Sequence, residues 1–178
     1  MLDKLYITPR QWLHILRWTL YCLLFLTAMM LQTVVFGDHP IFGAKPDFIT
    51  VVIVCVCLRE GPERGGLFAL LTSLFWHLSG ADNSSISIAV LTVLPVFGSI
   101  LCASVLNNRF TPCLIITAIT LFVHHSIIFL FKYLLDGLHP SLFGEKLIPC
   151  VLVSLIAQPI VYLLVKKINR IGDSYEPT

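Results

Sequence analysis

Residues 45–80 read KPDFITVVIVCVCLREGPERGGLFALLTSLFWHLSG. Two apolar runs flank one short charged turn, Arg59-Glu60-Gly61-Pro62-Glu63-Arg64. The first run, from Phe48 to Leu58, belongs to a helix over 47–58 that is about 18 Å long at 1.5 Å per residue. That falls short of a ~30 Å hydrocarbon core. Pro46-Asp47 sets an acid at the start of this helix, where the helix dipole favours negative charge, so Asp47 is expected to cap it. The second run opens with Gly65-Gly66 and closes at Ser79-Gly80. Gly65, Ala69 and Ser73 recur at every fourth position, a small-residue stripe that lets another helix come close, and His77 continues it.

Taken alone, this stretch suits a buried hairpin of a soluble protein. The rest of the chain argues otherwise. Of 178 residues, 57% are hydrophobic and 12% charged, and the mean hydropathy is +0.87. Soluble domains carry roughly 25% charged residues. The expectation is an all-α integral membrane protein forming a single polytopic domain over 1–178. Its six helices are expected at about 12–36, 47–58, 65–78, 86–106, 114–135 and 147–165, with a short helix 2. The first apolar run follows a basic, aromatic flank and reads as a retained anchor. Trp12, Trp18 and Tyr21 suit an interfacial belt, and Arg17 can snorkel to the headgroups. Breakers bound the loop from Gly37 to Pro46, and Pro95 with Gly98 predicts a kink in helix 4.

Six crossings put both termini on one side. With that side cytoplasmic, it gathers Lys4, Arg10, Arg17, Arg59, Arg64, Arg109, Lys166, Lys167 and Arg170, against Lys45, Lys132 and Lys146 outside. This bias obeys the positive-inside rule. The net charge of +2, with one short basic tail, gives no reason to expect nucleic acid as a partner. Six cysteines lie mostly inside apolar runs, where they act as small hydrophobes. No metal and no cofactor is expected.

Ionisable residues inside a membrane are functional candidates because burying them is costly. His124-His125 lies near the middle of helix 5, and His125, Phe129, Lys132 and Asp136 share one face. They could line a ligand pocket or proton relay. The plainer reading is interhelical hydrogen bonding, with Lys132 and Asp136 paired near the helix end. His124 aligns with Thr117 and Thr120, a polar stripe of the kind that glues helices together. The turn from Arg59 to Arg64 either solvates a tight corner or docks a cytosolic partner. No nucleophile elbow, phosphate loop or zinc-protease motif occurs, so no catalytic site is expected.

Pro46-Asp47 before a short apolar helix, then Arg59-Glu60-Gly61-Pro62, Gly65-Gly66 and Leu78-Ser79-Gly80, resembles the rod shape-determining MreD family. The resemblance implies a non-enzymatic scaffold of the cell-elongation machinery in the bacterial inner membrane, with both termini cytoplasmic. It implies MreC as partner and, indirectly, MreB, RodA and a penicillin-binding transpeptidase, all in contact with membrane lipid. It also implies a fold similar to the S components of energy-coupling-factor transporters. On this reading Asp47, Gly61, Gly65, Ala69, Ser73 and His77 serve helix packing or a partner interface. The family usually carries an acid late in helix 3, where this chain has His77. The rival function is a vitamin-binding S component, with His125, Lys132 and Asp136 in its pocket.

Overall fold

The computed structural model describes residues 9–37, 45–80, 84–105, 110–136 and 142–173. Among them the chain forms six α-helices and no strand. These are α1 (Pro9–Met30), α2 (Phe48–Glu60), α3 (Pro62–Leu78), α4 (Ile86–Val105), α5 (Phe110–Asp136) and α6 (Leu142–Asp173). A π-helical turn, Leu31–Val35, extends α1. Four segments are long and apolar enough to cross a membrane: Gln11–Val35, Ile86–Ala103, Phe110–Leu135 and Leu147–Ile171. The all-helical membrane architecture expected from composition is therefore present, while α2 and α3 are shorter than those four.

Several helices outrun their expected bounds for local reasons. Pro62 stands at the first position of α3, where a fixed φ suits helix initiation, so this helix starts ahead of Gly65. Pro112 falls in the first turn of α5, where it has no intrahelical bond to lose, so α5 begins at Phe110 rather than Leu114. The basic tail Lys166 to Arg170 stays helical and α6 reaches Asp173, beyond the expected stop at Val165. Hydropathy marks where lipid ends, whereas helical hydrogen bonding continues past it. Pro95 lies within α4, and Pro149 and Pro159 lie within α6. The loop expected between helices 1 and 2 falls mostly outside the described residues.

A helix apolar on every side has no face to offer water and must be surrounded. α2 is such a helix. Every side chain from Ile49 to Leu58 is buried, and α2 packs against all five other helices. It is the axis of the bundle. The outer helices turn Leu23, Leu67, Phe97, Ile119, Ile156 and Leu163 outward. In water such a surface would aggregate; in a membrane it meets lipid.

Glycine sets how closely the shell approaches this axis. A Cβ on Gly65 would lie 2.5 Å from the Cα of Cys57, so α3 can press backbone to backbone on α2 only through glycine. Ala69 and Ser73 are buried behind it, and Ser73 Oγ sits 3.4 Å from Thr92 Oγ1 of α4. The small-residue stripe is thus covered within the chain by α2 and α4. Gly98 plays the same part between α4 and α5, where its Cβ would stand 2.5 Å from Ile116 Cγ2.

Candidate functional site

A helix start leaves orphan N–H groups, and a start buried inside a bundle must find acceptors for them. α2 finds one on each of three segments. The Asp47 carboxylate accepts from Thr50 N at 3.0 Å and from Thr50 Oγ1 at 2.6 Å. Gln32, in the π-helical turn after α1, accepts from Ile49 N at 3.2 Å. Ser154 Oγ of α6 accepts from Asp47 N at 2.8 Å and donates to the Cys150 carbonyl at 2.7 Å. Asp47 is therefore the expected cap, and the start of α2 is fixed also by Gln32 and by Ser154 of α6.

The same carboxylate has a second face. Asp47 Oδ2 lies 3.4 Å from His124 Nδ1 and 3.4 Å from His125 Nε2. Adjacent residues on a helix diverge by about 100°, yet these two rings straddle one oxygen, with centroids 5.2 Å apart. His124 is only 6% exposed, and neither of its ring nitrogens has a hydrogen-bond partner. Cys150 Sγ stands 3.3 Å from His125 Nε2 and donates to the Lys45 carbonyl at 3.0 Å. One oxygen and two nitrogens from Asp47, His124 and His125 all lie within 4.8 Å of one another, a set able to hold a metal ion.

The far end of α2 is built differently. The Glu60 side chain, 1% exposed, turns inward from the charged turn. Its Oε1 takes Arg17 Nε at 2.6 Å, Tyr21 Oη at 2.7 Å and Asn169 Nδ2 at 3.1 Å, and Arg17 Nη2 pairs with it as well. Arg17, expected to snorkel outward, is drawn inward because a buried carboxylate needs a cation more than the headgroups do. Arg59 beside it donates to Tyr162 Oη at 2.5 Å, with its guanidinium carbon 4.9 Å from that ring's centroid. Glu63 and Arg64 remain exposed. Gly61 closes the turn at φ +88, in the region that favours glycine, and Gly61 N returns to the Cys57 carbonyl at 3.1 Å.

Between the ends, Gln158 is fully buried and donates to Thr117 Oγ1 at 2.9 Å. Thr117, Thr120 and His124 share the buried face of α5, as their spacing predicts. His77 lies at the far end of its stripe, with Nε2 3.4 Å from Ser85 Oγ and a buried, unpartnered Nδ1. The side chains of Lys132 and Asp136 lie outside the described residues, while His125 turns to Asp47 and Cys150. Nothing in the sequence pairs Asp47 with the two histidines, although each of the three is a candidate on its own. The signal available was chemical: a costly histidine in a membrane needs a counter-charge, and acids are scarce in this chain. Comparisons with protein-family models, with curated proteins and with solved structures found no match.

Proposed function

We propose that this chain is a non-enzymatic membrane scaffold of the bacterial cell-elongation machinery, as its resemblance to the MreD family implies. One observation carries the reading. The stretch that bears the resemblance is the axis of the bundle, and its distinctive residues each hold that axis in place. Asp47 caps α2, Glu60 pins its other end, Gly61 turns the chain and Gly65 admits α3. A signature spent on internal rigidity suits a protein that presents a fixed surface to partners. It suits a catalyst less, because a catalyst needs reactive groups free to meet substrate.

In this reading the chain lies in the inner membrane with both termini cytoplasmic, and α2 crosses inside the protein, where its shortness is harmless. The reading assigns a single-pass partner such as MreC to the apolar groove between α1 and α6. Leu20, Leu23, Leu24, Leu164, Ile168 and Ile171 line that groove. The test is affinity purification of the tagged chain from native membranes in mild detergent, with identification of co-purifying chains. Recovery of MreC, lost when Leu23 and Leu164 are both changed to Trp, is the expected result. Recovery of a transmembrane coupling subunit with two ATPases would contradict it and point to an S component.

A further inference from the structure

We propose that Asp47, His124 and His125 form a binding site for one divalent transition-metal ion, with Zn2+ as the best fit, and that Cys150, beside His125, turns in as the fourth ligand. The donor set comes first: one carboxylate, two imidazoles and a thiol are the ligands that zinc takes in proteins. The spacing agrees. Bonds of 2.0–2.3 Å arranged tetrahedrally put ligand atoms about 3.3–3.6 Å apart. The two Asp47–histidine separations are both 3.4 Å and the three ligand atoms lie within 4.8 Å of one another, while Cys150 Sγ, 3.3 Å from His125 Nε2, stands outside that group and moves inward to reach the ion.

As an ion pair the same group is poorly made. Charge-assisted N–H···O bonds run about 2.7–2.9 Å, shorter than either contact here. His124 is buried with no hydrogen bond at either ring nitrogen, its Nδ1 having only the 3.4 Å ion-pair contact to Asp47, and a metal bond at Nδ1 relieves that nitrogen. The carboxylate is already oriented from behind by Thr50 N and Thr50 Oγ1, the outer-shell support that metal ligands ordinarily have.

Charge balance points the same way. A dication bound by one carboxylate, one thiolate and two neutral imidazoles is neutral overall, and low-dielectric surroundings favour a neutral site. On binding, Cys150 releases its thiol proton and gives up its donation to the Lys45 carbonyl. The ion then joins the start of α2 to α5 and α6. This site stands apart from the scaffold reading and does not depend on it.

The test uses the full-length chain in detergent, stripped with a chelator and titrated with Zn2+ against a chromophoric competitor, then with Co2+. The expected result is one ion per chain, an intense tetrahedral Co2+ spectrum and a sulfur-to-cobalt charge-transfer band. Loss of an outer-shell partner typically weakens a site 10–100-fold, so His124→Ala should weaken binding by more than ~100-fold. Asp47→Asn should do the same while keeping an acceptor for Thr50, so the cap survives. Cys150→Ser should remove the sulfur band, and His14→Ala, outside the cluster, should change nothing. Binding equally tight in wild type and His124→Ala, or none in wild type, would overturn the proposal. A tetrahedral spectrum without the sulfur band would overturn the four-ligand site.

Discussion

The two ends of α2 solve one problem by different chemistry. Each buries a carboxylate inside an apolar bundle. At the Glu60 end a permanently charged guanidinium, a phenol and an amide converge on a single oxygen within about 3 Å. At the Asp47 end the helix's own Thr50 supplies the short bonds, and the neighbouring groups are two imidazoles at 3.4 Å. At the first end the chain itself fills one oxygen, Oε1, while Oε2 is buried without a hydrogen-bond partner. The second keeps coordinating capacity, since imidazole can carry a proton or a metal. A buried acid facing arginine is a structural clamp; one facing histidines is a clamp that still has a ligand to accept.

Mutation should separate the two ends by magnitude. Glu60→Ala removes the carboxylate on which Arg17, Tyr21 and Asn169 converge, and breaking a buried pair from one side costs about 4 kcal/mol. Thermal unfolding in detergent should show the largest loss here; a loss under 1 kcal/mol would mean that this carboxylate does not hold the end. Gly65→Ala should cost about 3 kcal/mol, because overpacking against the Cys57 backbone must push α3 away from α2. Since Gly65 of α3 packs on Cys57, in the half of α2 near Glu60, chain-wide cross-linking should report the separation there and not at Asp47. Gly61→Ala should cost about 2 kcal/mol through its backbone conformation alone. Asp47→Ala, measured with metal chelated, should cost about 1 kcal/mol as a lost cap, and Asp47→Asn only a few tenths. Equal losses at Asp47 and Glu60 in chelator would erase the distinction between the ends.

How much of this was legible in the sequence follows from the range of each interaction. The run Phe48 to Leu58 is legible as a short helix with no polar face, but in a membrane that pattern fits lipid as well as a protein core, as the exposed Phe97 of apolar α4 shows. The role of Asp47 as cap was equally local, as was the turn at Gly61-Pro62. The stripe of Gly65, Ala69 and Ser73 told that a helix comes close without telling which one; α2 and α4 of the same chain occupy it. Arg17 and Glu60 meet across 43 residues, and nothing local distinguishes an arginine that snorkels from one that pairs. The histidines stand further still from Asp47, on a helix whose rotation about its own axis decides whether they face it. Burial cost signalled that these residues matter; only the packing supplied their partners.

The central claim is that α2 lies inside the bundle, beside α5. Cys55 of α2 and Cys113 of α5 test it directly, with sulfurs 3.7 Å apart and both side chains buried. Cys22 on α1 is exposed and serves as the control. The measurement is oxidative cross-linking in native membranes of two variants, one keeping only Cys55 and Cys113, the other only Cys22 and Cys113. A bond in the first and none in the second is the predicted result. A first variant that stays unlinked within the chain, or joins Cys55 to Cys55 of a second copy, would place α2 at the periphery and contradict the account.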